Sequence, residues 1–142
     1  MLKPQLNKPV KILCVEDEKD LVNIYQSACE KNGYVFMATA DIAEAQNIAQ
    51  RENPDLILLD LILPLKVNDL INLTAKQGFD FLERIKKTET LNKIPVIVLT
   101  NLNTIDDRER ARKLGAVDYI IKADILPKEI CTKIKEYLNL EN

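Results

Sequence analysis

Residues 55–64 read DLILLDLILP, and Asp60 is the only ionisable side chain between Leu56 and Leu63. An ionised carboxylate taken out of water costs several kcal/mol unless it is paired, hydrogen-bonded or bound to a cation. Leu56 to Leu59 form the near-continuous apolar run of a parallel strand buried on both faces. The run is therefore read as a buried strand ending at Asp60, with Pro64 closing the loop beyond it. Asp60 then requires a partner elsewhere in the chain.

Four more runs have the length of a buried strand: KILCV (11–15), YVFMAT (34–39), PVIVLT (95–100) and DYII (118–121). Segments of helical period alternate with them. Leu21, Ile24, Tyr25 and Ala28 share a face ended by Asn32-Gly33. Asp41 followed by Glu44 has the pattern of a capping box. Phe79, Leu82 and Ile85 follow Gly78, and a further helix starts near Thr104 and stops at Gly115. Its charge-rich run DDRERARK (106–113) reads as a solvated face with no chemistry assigned. Pro127 opens a last helix with Ile130, Ile134 and Leu138 on one stripe. Strand and helix in strict alternation predict an α/β fold, a (βα)5 doubly wound five-stranded parallel sheet of flavodoxin-like type. Residues 1–10 read as an N-terminal extension and 11–139 as one domain, with no internal repeat and no linker to a second domain.

Composition excludes several function classes. The 142 residues carry 20 basic and 22 acidic side chains, a net charge of -2 that gives no electrostatic reason to expect nucleic acid or an anionic membrane as partner. Cys14, Cys29 and Cys131 form no CxxC pair, and the absence of histidine removes a zinc site completed by histidine as well as Ser-His-Asp and Cys-His hydrolases. No run approaches the roughly 18 apolar residues of a membrane span, and the N-terminus lacks a signal-peptide core; the expected compartment is the cytoplasm.

In an open parallel sheet the functional crevice lies beyond the carboxyl ends of the strands. The residues falling there are Glu16 and Asp17 after the first strand, Asp60 after the third, Thr100 at the end of the fourth and Lys122 after the fifth. Three carboxylates at one edge repel each other, but they offer the hard oxygens that Mg²⁺ prefers. Lys122 and the Thr100 hydroxyl, placed on the side of Asp60 away from the metal, suit a phosphoryl group whose charge must be neutralised.

With these residues in place, the stretch from about Lys11 to Leu138 resembles a response-regulator receiver domain of two-component signalling. The resemblance rests on the acidic pair in ILCVEDE, the aspartate in LILLDLILP, the threonine closing PVIVLT, the lysine in DYIIKA and Tyr119 ahead of it. It implies that Asp60 is a phosphoacceptor charged by a histidine kinase or a small phospho-donor. Glu16, Asp17 and Asp60 would hold Mg²⁺ with the Ile62 carbonyl. Thr100 and Lys122 would bind the phosphoryl, with the Asn101 backbone N–H as a further donor, and Thr100 and Tyr119 would switch the surface formed by the last two helices and the last strand. Such a protein is a phosphorylation switch and not an enzyme acting on other substrates. With only a short tail after Leu138, the chain is expected to act as a stand-alone receiver, by protein contact or by relay to a histidine phosphotransfer protein. The alternative is a receiver-like interaction module that needs no phosphorylation. A flavodoxin-like electron carrier is disfavoured because VEDEKD would repel the FMN phosphate. An aspartyl phosphatase is disfavoured because Ile62 stands where its second aspartate would be.

Three departures from the family pattern bear on mechanism. Ala123 follows Lys122 where the family places proline after a cis bond, and a non-proline cis bond costs about 2.5–4 kcal/mol. Asn101 stands where the family has a very small residue. Between Pro64 and Gly78 the chain carries an insertion, at about 65–77, whose Leu65, Val67, Leu70, Ile71 and Leu73 predict a segment that packs over the site or forms a docking surface. The resemblance also implies that the residues two after the phosphoacceptor and two after the threonine, here Ile62 and Leu102, flank the approach of hydrolytic water, and neither can orient it by side-chain hydrogen bonds. Slow self-dephosphorylation is expected.

Overall fold

The computed structural model describes residues 8–63, 65–67, 70–72 and 75–140, with side chains described outside 65–67 and 70–72. Five parallel strands, β1 (Lys11–Val15), β2 (Val35–Thr39), β3 (Leu56–Leu59), β6 (Val96–Thr100) and β7 (Asp118–Ile121), form one sheet in the order β2-β1-β3-β6-β7. The helices are α1 (Lys19–Lys31), α2 (Ile42–Glu52), α3 (Gln77–Lys87), α4 (Ile105–Lys113) and α5 (Pro127–Leu138). This is the expected doubly wound (βα)5 architecture.

Alternation along the strands sorts their side chains onto two faces. Leu13, Val15, Ile57, Leu59, Val96 and Val98 pack with α2, α3 and Ala111 of α4. Ile12, Cys14, Leu56, Leu58, Ile97 and Leu99 pack with Tyr25 and Cys29 of α1 and Ile130 and Ile134 of α5. Burial on both faces is why β3 is aliphatic throughout and why β1 and β6 are apolar but for Lys11 at the start of one and Thr100 at the end of the other. All three cysteines are free and buried, as thiols in the core.

The structure differs from the sequence reading in three places. Between β3 and α3 the insertion contains an antiparallel pair, β4 (Leu65–Val67) and β5 (Leu70–Asn72). The side chains of Leu65, Val67, Leu70 and Ile71, and all of Pro64 and Leu73, lie outside the described residues. Secondly, Asp41 caps α2 through Ala43 and Glu44 N–H groups, but its own N–H donates to Thr39 Oγ1 at 3.1 Å, so Thr39 makes the bond that a capping box assigns to Glu44. Thirdly, DDRERARK (106–113) is not solvated throughout, because Asp107 is buried and paired.

The strand order reverses between β1 and β3, and a crevice opens at the carboxyl ends of these two strands. Glu16 and Asp60 follow them directly, which puts two carboxylates at the topological switch point.

Candidate functional site

Asp60 extends the ladder by one residue, its N–H donating to the Val15 carbonyl at 3.0 Å. The chain then turns away, and the turn is backed by Gly78, whose N–H donates to the Leu61 carbonyl at 3.0 Å. A Cβ at Gly78 would lie 2.4 Å from the Asp60 carbonyl oxygen and 2.5 Å from Leu61 Cα. Only glycine fits behind the site.

The Asp60 side chain is buried and fully engaged. Its Oδ1 accepts from Thr100 Oγ1 at 2.8 Å and from the Ile62 N–H at 3.1 Å. Its Oδ2 accepts from Lys122 Nζ at 2.8 Å. Lys122 also reaches both oxygens of Glu16, at 3.0 and 3.3 Å, and Glu18 Oε1 at 3.3 Å. Glu16 is held in turn by the N–H groups of Asp17 and Glu18, at 3.2 and 3.1 Å on Oε2. The sequence reading placed Lys122 away from the acidic pair; its ammonium instead lies between Glu16 and Asp60, where one cation neutralises both buried carboxylates.

Burial and then the Asp60 charge push the Glu16 carboxyl up to about 7, against the opposing pull of Lys122 and the backbone N–H of Glu18. Burial works to lower the Lys122 ammonium, but its bonds to Asp60 and Glu16 win and hold it above the ordinary lysine range. Ligand oxygens of Glu16, Asp17 and Asp60 all lie within 4.8 Å of one another. Two buried carboxylates and one exposed one, all hard oxygen donors, fit the chemistry of Mg²⁺, which takes a few carboxylates and completes its shell with water.

The neighbouring residues fall around this centre. Asn101 is exposed, and its Oδ1 accepts from the Ala123 N–H at 3.1 Å, which ties the loop after β6 to the turn after β7. No peptide bond among the described residues is cis, so Lys122–Ala123 is trans. Leu102 is half-buried against the core of the α2 and α3 side; its N–H meets Thr100 Oγ1 at 3.4 Å and its carbonyl accepts from Tyr119 Oη at 2.7 Å. Ile62 is half-buried. Burial, followed by the Asp107 charge, pushes the Tyr119 phenol up to about 12, so it remains a donor to Leu102. Sequence reasoning missed Glu18 as a partner of Lys122, although the acidic run VEDE marks it, and it missed Asp107, which nothing in a charged helix distinguishes from its neighbours.

A flavodoxin-like sheet with carboxylates, a hydroxyl and a lysine converging on one aspartate is the architecture of a receiver. Residues 12–135 match the family model of the response regulator receiver domain, and the chain belongs to that family. It is similar to a probable transcriptional regulator ycf27 of Porphyridium aerugineum, 33% identical over 128 residues, which are 90% of this chain and 48% of that protein. It is also similar to the phosphate regulon transcriptional regulatory protein PhoB of Escherichia coli K12, 34% identical over 88% of this chain and 50% of that one. The chain thus spans about half the length of the curated relatives it matches. Among solved structures, a CheY-like receiver domain protein from Methanospirillum hungatei superposes with a TM-score of 0.79 at 24% identity, covering 93% of this chain and 95% of that one. The BeF3-activated N-terminal receiver domain of Klebsiella pneumoniae RstA superposes with a TM-score of 0.74 at 24% identity, covering 90% and 97%. These likenesses establish the fold. Receiver domains of response regulators act as phosphorylation-driven switches in two-component signalling. No helix among the described residues is long and apolar enough to cross a membrane.

Proposed function

We propose that Asp60 takes a phosphoryl group from the phosphohistidine of a cytoplasmic histidine kinase or histidine phosphotransfer protein, and that this chain passes the signal on by protein contact or by phosphorelay. The observation that carries the reading is that a buried aspartate has Thr100 on one oxygen and Lys122 on the other, beside Glu16 and Asp17. One oxygen of the Asp60 carboxylate attacks phosphorus, the phosphorus–nitrogen bond of the donor breaks, and the imidazole leaves with a proton taken from solvent. Thr100, Lys122 and the Asn101 N–H bind the incoming oxygens. Mg²⁺, held by Glu16, Asp17, Asp60 and the Ile62 carbonyl, supplies charge neutralisation when bound. As Thr100 turns to the phosphoryl, its bonds to Asp60 and to the Leu102 N–H are exchanged, and Tyr119, which holds the Leu102 carbonyl, transmits the change to α4, β7 and α5 as a population shift. Ile62 and Leu102 leave hydrolytic water without a side-chain partner and make self-dephosphorylation slow.

The test is incubation with acetyl phosphate and Mg²⁺ followed by intact mass. Wild type is expected to gain one phosphoryl, Asp60→Asn none, and wild type with EDTA almost none. A wild type that stays unmodified under these conditions would make the chain a phosphorylation-independent interaction module. Ile62→Asn and Leu102→Glu are expected to lose the phosphoryl faster than wild type; equal or slower loss would remove the shielding role of these two residues.

A further inference from the structure

Five polar or charged residues are buried among the described residues: Glu16, Asp60, Thr100 and Lys122, which form the site, and Asp107, which does not. Asp107 lies in the first turn of α4, and its cation comes from a distant part of the chain. Lys76, at the end of the insertion, places Nζ 3.1 Å from Asp107 Oδ1 and 3.3 Å from Oδ2. Thr104 completes the arrangement, donating its hydroxyl to Asp107 Oδ2 at 2.8 Å and accepting the Asp107 N–H at 3.0 Å. Burial works to raise the Asp107 carboxyl, but the bonds from Thr104 and Lys76 hold it below the usual carboxylate range.

The two loops joined by this pair both touch the phosphoacceptor. The loop after β6 starts at Thr100, on Asp60 Oδ1, and ends at Thr104. The segment after β3 starts with the Ile62 N–H on the same oxygen. It meets the end of the insertion where the Leu63 N–H donates to the Ala75 carbonyl at 3.1 Å and Gln77 Nε2 donates to the Leu63 carbonyl at 3.2 Å. Lys76 stands between those two tied residues. The contacts therefore close a ring, from Asp60 through Thr100, Thr104, Asp107, Lys76 and Leu63 back to Asp60.

We propose that Lys76 is a positioning residue for the phosphoacceptor: through Asp107 it fastens the end of the inserted hairpin to the loop that carries Thr100, so that the insertion and the site respond as one unit. This rests on the phosphoacceptor reading of Asp60. Coupling of this kind is reciprocal. A change at the end of the insertion therefore alters the rate at which Asp60 gains or loses phosphoryl, and phosphorylation alters the exchange of the inserted segment.

The experiment uses the full chain and four variants: Lys76→Met, Lys76→Arg, the double variant Lys76→Met with Asp107→Asn, and Lys87→Met, which removes an exposed lysine of α3 paired with Glu83 one turn away. Amide exchange of residues 101–104 and 65–72 is measured without phosphoryl donor, and uptake from acetyl phosphate and later loss are followed by intact mass. Lys76→Met is expected to speed exchange in both segments, and to change uptake or loss, by about fivefold or more, the low end of coupling between sites. Lys76→Arg should restore wild-type values, and the double variant should match Lys76→Met because both act on one pair. If Lys76→Met behaves as Lys87→Met does in exchange and in rates, the proposal is overturned. A wild type that takes no phosphoryl sinks the reading of Asp60 instead, and the coupling of the two segments is then upheld or rejected by exchange alone.

Discussion

Helices α3 and α4 each follow a segment that bonds Asp60, through the Ile62 N–H and the Thr100 hydroxyl, and are held in opposite ways. The first buries Gly78, Phe79, Phe81, Leu82 and Ile85 against the sheet, whereas the second buries only Asp107 and Ala111 and leaves Ile105 84% exposed. Non-directional burial of large side chains fixes α3, and the glycine it carries forms the back wall of the site. A short set of directional bonds holds α4: the Thr104 cap, Lys76 on Asp107, and Arg108 on Asn103 at 3.0 and 3.2 Å. Arg110 over the Phe79 ring, at 4.1 Å, joins the two helices. Elements with little buried apolar area open and shift at the low end of a protein's stability range. The wall of the site is thus rigid on one side and able to move on the other, an arrangement suited to a switch driven by one charged group.

The largest test of this contrast is Phe81→Ala. Its side chain is fully buried, and the substitution is expected to lower unfolding free energy by about 3–5 kcal/mol in urea titrations. A smaller effect would mean that α3 is less firmly anchored than its burial implies. Gly78→Ala comes next, at roughly 1–3 kcal/mol from overpacking, because the added methyl meets backbone that cannot yield as a side chain does. It should also cut phosphoryl uptake in the fraction that stays folded, since the carbonyl it displaces belongs to Asp60. On the other helix, Thr104→Ala is expected to remove about 1 kcal/mol with the loss of the cap. The smallest expected effect depends on pH. A carboxyl held below its ordinary value of 3.8 stabilises the fold above that pH and loses the contribution as pH falls through its folded value. The gap in Tm between wild type and Asp107→Asn should therefore be widest near neutrality and close below pH 3.8, while the gap for Phe81→Ala stays constant. A gap for Asp107→Asn that does not change with pH would mean that α4 is held by packing, as α3 is.

The residues of the site were legible because burying a charge is expensive. Asp60 inside DLILLDLILP announced a partner, and counting strands to their carboxyl ends located Thr100, Lys122 and the acidic pair. Strand and helix order followed from the same economy of signals, since a strand buried on both faces reads as a short aliphatic run whatever its neighbours. The insertion was legible as extra length with apolar content, but a two-stranded hairpin of three residues a side is too short to carry a period of its own. The position of Lys122 was not legible at all. Its residue type and strand end followed from the sequence, but whether its ammonium turns toward Glu16 or away from it depends on how far apart β1, β3 and β7 set three side chains.

What the sequence alone determined is the alternation of elements, the two-faced sheet and the set of groups at its carboxyl edge, because hydrophobic period and the desolvation of charge are local properties of the chain. What only the tertiary structure decided is which groups share a proton donor or a cation: Lys122 among Glu16, Glu18 and Asp60, Asn101 with Ala123, Tyr119 with Leu102, and Lys76 with Asp107. These pairs join residues between 17 and 106 positions apart. No pattern along the chain encodes such a distance, because a hydrogen bond forms only when folding brings both groups to within about 3 Å at a usable angle.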